Sequence, residues 1–261
     1  MRQSNGYILI FTVILTIVVG GLLAGASQFL GPAQQRSIDL DTKSSILNAV
    51  RNQVAIEKGA DILAVYDKRI TSLVVDFEGN EITTDAKGNP MVAEKVNILK
   101  NYKLDPKERQ YPVFKLMNTE DPTKVEAYVL PVYGAGLWDK IWGYVAIDSK
   151  LETIVGVSFD HKAETPGLGQ RIATPEIQNR YEGKKIYDEA GALVSVEMMK
   201  GEHGGAAASI EYYNAKPHQV DGMSGATLTG NGLNQMLKAY LESYQNYFKK
   251  VGNSSTTASI K

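Results

Sequence analysis

The chain has 261 residues, 43% hydrophobic and 22% charged, with a formal net charge of -1; this is the balance of an ordinary folded protein, and the length allows one large domain or two small ones. Near-neutral charge excludes the basic footprint of a nucleic-acid binder. Absence of cysteine excludes disulfides, thiol catalysis, thiolate-held zinc and iron–sulfur clusters. The three histidines, His161, His203 and His218, lack metal-site spacing, so no metal centre is expected.

No charge separates Arg2 from Arg36, and between them Tyr7 to Leu30 is almost wholly apolar. A bilayer core requires about 20 such residues as a helix. The alternative is a cleaved signal peptide, since Ala24-Gly25-Ala26 has small residues at cleavage spacing. The apolar run is longer than the roughly 7–15 residues of such a signal, and its charged flank is Arg2 alone. An uncleaved single-pass anchor over residues 7–30 is therefore expected, after a short flank over 1–6. A lipoprotein anchor would need a cysteine. Positive-inside bias is slight, because Arg2 lies before the span and Arg36 after it; charge leaves the topology open.

Asp41 is placed to cap a helix to about Val54, with Ile46, Leu47, Val50 and Val54 on one face. Ile70 to Phe77 reads as a strand closed by Glu78-Gly79-Asn80, and Thr83 to Pro90 as a polar surface loop. Val125 to Tyr133, Ile141 to Ile147 and Thr153 to Phe159 read as strands, the last two joined as a hairpin through Asp148-Ser149-Lys150. Thr174-Pro175 opens a short helix, with threonine as cap and proline at the first helical position. Val194 to Met198 is a further strand candidate. Leu233, Met236, Leu237, Tyr240, Leu241, Tyr244 and Phe248 recur at helical spacing and predict a long amphipathic helix. The polar tail over 253–261 is expected to be frayed. Strands and helices do not alternate, so the expected fold is α+β: a mostly antiparallel sheet with packed helices over 31–252, preceded by one N-terminal transmembrane helix.

Gly134-Ala-Gly136-Leu-Trp138-Asp139 lacks the third glycine of a dinucleotide fingerprint. Gly225-Ala-Thr-Leu-Thr-Gly230 has the glycine spacing of a phosphate loop, but Asn231-Gly232 follows where Lys-Ser/Thr is required. Asp221-Gly222-Met223-Ser224-Gly225-Ala226-Thr227-Leu228-Thr229 leads directly into the last helix. The free N–H groups and positive dipole of a helix N-terminus favour an anion such as phosphate. The alternative is a Ser/Thr cap after a tight turn.

Ser224-Gly225-Ala226-Thr227-Leu228-Thr229 resembles the flavinylation signal of the FMN-binding domain family. The likeness extends to the N-terminal span, to Gly136-Leu137-Trp138, and to His161-x-x-Glu164-Thr165-Pro166-Gly167-Leu168-Gly169. Within the family it resembles the C subunits of Na+-translocating NADH:quinone reductases, with the related G subunits of Rnf electron-transport complexes as the alternative. The resemblance implies FMN joined by a phosphoester to Thr229. Trp138, Glu164, Thr165, Gly167, Leu168, Ser224, Gly225, Ala226 and Thr227 are then expected to surround it, with no catalytic residue beyond the flavin. A phosphoester leaves the ring chemistry intact, so the protein must position the ring: Trp138 by stacking, Leu168 by covering it, Glu164 and Thr165 by hydrogen bonds. Each has a plainer alternative: a half-buried aromatic, a tight turn at 166–169, a solvated carboxylate. For His161 a structural role is expected. The resemblance further implies an electron-relay subunit that does not oxidise NADH alone. Its partners are companion subunits binding NADH and quinone, and a flavin transferase during maturation. It implies a bacterial inner membrane location with the domain on the periplasmic face. A tethered ligand-binding or assembly module without redox function is the alternative of another class.

Overall fold

Strand β3 (Val125–Ala135) explains the architecture. Its residues Ala127 to Tyr133 are buried at every position, the pattern of a strand covered on both faces rather than one. In the computed structural model, which describes residues 4–54, 61–203 and 211–258, β3 is central in an antiparallel meander of order β1-β2-β3-β4-β5. The other strands are β1 (Ile70–Val75), β2 (Tyr111–Met117), β4 (Lys140–Asp148) and β5 (Ile154–His161). A parallel pair, β6 (Glu197–Met198) and β7 (Gln219–Val220), lies outside the meander. The described helices are α1 (Asn5–Ala49), α2 (Ile62–Arg69), α3 (Ile98–Tyr102), α4 (Pro175–Gln178) and α5 (Thr227–Ala258). The expected α+β class with a mostly antiparallel sheet is what the chain adopts.

Alternation along the strands sorts the core into two clusters. Tyr111 and Val113 of β2 and Tyr128, Leu130 and Val132 of β3 share a cluster with Leu233, Met236, Leu237, Tyr240, Leu241 and Tyr244 of α5. Phe114 and Leu116, with Ala127 and Val129, join Ile46, Leu47, Ala49 and Val50 at the end of α1. The helical spacing predicted for α5 is thus its buried stripe. Its Tyr244 hydroxyl also donates to the carbonyl of Pro112 at 2.7 Å, so a buried phenol has its partner.

The chain divides into two compact units, Met1–Thr42 and Lys43–Lys261. In the first, α1 is long and apolar enough to cross a membrane, and its side chains from Tyr7 to Leu30 are exposed. Thr12 and Thr16 donate their hydroxyls to the carbonyls of Ile8 and Thr12, both at 2.8 Å. This satisfies those side chains within the helix itself.

Several local expectations differ from the structure. Asp41 caps nothing: α1 is continuous through Pro32 to Ala49. Helix α5 runs on through Asn253 to Ala258, and residues 259–261 of the expected tail lie outside the described residues. Thr174 gives α4 no side-chain cap, although Pro175 holds the first helical position; its hydroxyl donates instead to Arg171 O at 2.7 Å. Only Glu197–Met198 of the stretch 194–198 is strand, because Ser195 takes a positive φ of 65° that breaks the extension. Strand β2 is one that the residue pattern does not predict.

Candidate functional site around Glu164 and Thr229

Thr229 lies in the first turn of α5 and is 1% exposed. Its hydroxyl donates to Glu164 Oε2 at 2.6 Å. Glu164, 5% exposed, uses its other oxygen to accept the backbone N–H of Trp138 at 3.1 Å. Its own N–H donates to His161 Nδ1 at 3.2 Å. One carboxylate therefore joins the β3–β4 turn, the segment after β5 and the start of α5. His161 holds that segment, the structural role its position suggests.

Two glycines make room for this carboxylate. A Cβ on Gly136 or on Gly169 would come within 3.0 Å of a Glu164 oxygen, and one on Gly169 would also crowd the Thr229 hydroxyl. Both positions must lack a side chain for the buried carboxylate to fit. Gly167 differs: it takes a φ of 75° and a Cβ there would meet nothing, so its glycine serves the turn. That turn is closed by Leu168 N–H and Gln170 N–H, both donating to Thr165 O at 3.1 and 3.2 Å. Thr165 in addition accepts the indole N–H of Trp138 at 3.0 Å.

The segments that Glu164 joins expose large apolar side chains. Leu137, Trp138, Leu168 and Leu228 are all substantially exposed, Trp138 at 68%. Trp138 is thus a ring held at its N–H with its faces open, not a half-buried core aromatic. Ala226 is buried, and its carbonyl accepts from Gly230 N–H at 3.0 Å as the first bond of α5. An alanine at that boundary supplies no side-chain cap. Among the described residues no side chain accepts from the N–H groups of Thr227, Leu228 and Thr229. Such a turn favours an anion. Gly225, with a φ of 74°, turns the chain into the helix against Leu168. Thr227 and Ser224 are exposed.

A partly buried ion network fixes the approach to this turn, and no residue pattern predicts it. Glu202 accepts from Arg171 Nη1 at 2.9 Å and Nη2 at 2.5 Å, from Arg180 Nη2 at 2.8 Å, and from Ser224 N–H at 3.1 Å. Hydrogen bonding from Arg171, then Arg180, holds its carboxyl down at about 2, against the opposing effect of burial. Arg180 also donates to Gly222 O at 2.6 Å. Fully buried Asp221 accepts from His203 N–H at 2.8 Å, and His203 Nδ1 lies 2.9 Å from its other oxygen. These partners are far apart in sequence, so no motif spacing could announce them; Asp221-Gly222 is the visible fragment.

A groove of about 570 Å³ lined by Leu99, Tyr133, Asp139, Lys140, Trp142 and Lys162 does not include Thr229. The N–H groups at the start of α5 suit an anion, and the large exposed side chains of the neighbouring segments suit a flat ring. Residues 136–242 match the family model of the FMN-binding domain, which is the class of protein that fold and site define. The chain is 30% identical over 251 residues to the C subunit of the Na(+)-translocating NADH-quinone reductase of Pseudomonas aeruginosa, covering 92% of each. It is 29% identical over 263 residues to the Yersinia pestis C subunit, covering 96% of this chain and 94% of that one. Among solved structures, the C subunit from Parabacteroides distasonis superposes with a TM-score of 0.66 at 30% identity, covering 84% of this chain and 96% of that chain. This chain belongs to the family of C subunits of the Na(+)-translocating NADH-quinone reductases. That decides between the C-subunit and G-subunit resemblances.

Proposed function

We propose that this chain is the electron-relay subunit of a Na+-translocating NADH:quinone reductase, carrying FMN as a phosphoester on Thr229. The observation that carries the reading is the Thr229 hydroxyl itself. It sits in the uncapped first turn of α5, hydrogen-bonded to Glu164 at 2.6 Å, among the exposed Leu137, Trp138, Leu168 and Leu228.

Bound FMN would supply the one-electron chemistry, and the chain's own residues would hold and orient it. The N–H groups at the start of α5 suit the phosphate. Trp138, fixed through Thr165, offers a face for stacking, and Leu168 an apolar cover. The Arg171–Glu202–Arg180 network keeps Asp221 to Ser224 in place, so that the acceptor turn is presented in one conformation. The dinucleotide fingerprint at Gly134 and the phosphate loop at Gly225 are both incomplete, so hydride from NADH would enter through a companion subunit. α1 would anchor the protein in the bacterial inner membrane with the domain on the periplasmic face. Thr227, Ser224, Gly225, Ala226 and Gly167 are read as parts of the signal and its turns rather than as contacts to the ring.

The test is mass spectrometry of the intact chain produced with a flavin transferase. The wild-type chain should exceed the unmodified mass by FMN less one water. Thr229→Val, nearly isosteric but without a hydroxyl, should remain folded and carry no adduct; an adduct retained on the variant would sink the assignment.

A further inference from the structure

We propose that Glu164 is the base that takes the Thr229 proton when the phosphoester forms, an inference that rests on the reading of Thr229 as flavin acceptor. A threonine hydroxyl is a weak nucleophile unless a positioned base withdraws its proton. Here the acceptor is already in place: Thr229 Oγ1 lies 2.6 Å from Glu164 Oε2, within the range of hydroxyl–carboxylate hydrogen bonds. The carboxylate cannot swing freely. Its other oxygen holds Trp138 N–H, its backbone N–H is held by His161 Nδ1, and Gly136 and Gly169 close on it from two sides. Oε2 is thereby aimed at one partner, the oxygen that would be esterified.

The step balances with a flavin dinucleotide as donor. The Thr229 oxygen forms a bond to the phosphorus on the flavin side, the pyrophosphate P–O bond breaks, and the nucleoside monophosphate leaves with the bonding pair. The hydroxyl proton passes to Glu164 and from there to water. No oxidant or reductant is consumed. Besides Thr229 and the Trp138 amide, His161 touches Glu164 through the backbone N–H of Glu164, and Asp139 and Lys162, next in sequence to these segments, are paired with each other at 3.0 Å.

The experiment is steady-state transfer from flavin adenine dinucleotide by a flavin transferase, with the full-length chain as the varied protein substrate. Glu164→Gln keeps the size and an accepting oxygen but removes the basicity. Its kcat should fall by on the order of 10²–10⁴-fold, with KM and the melting temperature close to wild type. Glu164→Asp, which retains a carboxylate, should lie between the two. An unchanged kcat in Glu164→Gln, a rise in KM alone, or Glu164→Asp no faster than Glu164→Gln would each overturn the proposal. Should the glutamine variant not fold, a kcat of Glu164→Asp equal to wild type would also overturn it. Failure of the wild-type chain to accept flavin would instead strike the acceptor reading itself, and this inference would fall with it.

Discussion

Glu202 makes a single-residue commitment with a measurable pH signature. Hydrogen bonds from Arg171 and Arg180 hold its carboxyl at about 2 rather than the ordinary 4.5. A carboxyl depressed by folding stabilises the native state above its unfolded pKa. That contribution is lost as pH falls from about 4.5 towards about 2. Its size is on the order of 3 kcal/mol, since a tenfold change in proton affinity corresponds to about 1.4 kcal/mol. Glu202→Gln should therefore lower the melting temperature at neutral pH and flatten its decline through the acid window. Arg180, whose side chain is 2% exposed, would lose its Glu202 partner at 2.8 Å and keep Glu176 at 3.0 Å and Asp221 at 3.9 Å as ion-pair partners, which adds to the loss. Thermal melts of both proteins across that range provide the check; parallel curves would mean that Glu202 does not carry the acid sensitivity.

At the scale of elements, α5 depends on its buried stripe. Leu237 is completely buried, and Leu237→Ala should cost about 2–5 kcal/mol, readable as a lower denaturation midpoint with little change in slope. This helix is legible in the sequence because its apolar period is 3.6 and uninterrupted. Strands β1, β3, β4 and β5 are legible for the corresponding reason: Val- and Ile-rich runs bounded by turn residues. β2 is not, because Pro112 stands in its second position and Lys115 interrupts its apolar run, the features that argue against a strand when neighbours are unknown. The sheet overrides them, and β2 pairs on both edges, with β1 and with β3. The centre of the candidate site is partly legible. Thr229, Glu164 and Trp138 stand out by resemblance, but residue spacing could not reveal that Glu164 bonds both of the others. The Gly136 and Gly169 pair is explained only by the carboxylate lodged between them.

For the whole molecule, the last turns of α1 belong to the core of the compact unit Lys43–Lys261. Ile46, Leu47, Ala49 and Val50 are fully buried, and Arg51 donates to both Gln178 and Asn179. A chain shortened to begin at Arg36 retains all of them and should remain in solution without detergent, melting cooperatively. A chain beginning after Val54 should lose cooperative melting. Each large apolar side chain removed costs about 2–5 kcal/mol, and a typical domain has only about 5–15 kcal/mol to lose. Equal melting temperatures for the two truncations would show that these turns are dispensable. The residue pattern marks Ile46, Leu47, Val50 and Val54 as an apolar face, and all four are buried, but it opens a new helix at Asp41 and carries it to Val54, where α1 is continuous and ends at Ala49.

The burial of Thr229 has a kinetic consequence. A second enzyme can reach an oxygen on a residue 1% exposed only in a conformer that uncovers it. If Thr229 is the acceptor, the transferase works on a minority conformer, of the kind populated at about 0.1–10% when opening costs a few kcal/mol. Esterification then removes the hydroxyl hydrogen that Glu164 holds and sets a charged phosphate beside a carboxylate, so the original closed arrangement cannot return. Breathing of the fold and formation of the ester together act as a ratchet: the fold limits how often the bolt is drawn, and the first successful visit throws it for good.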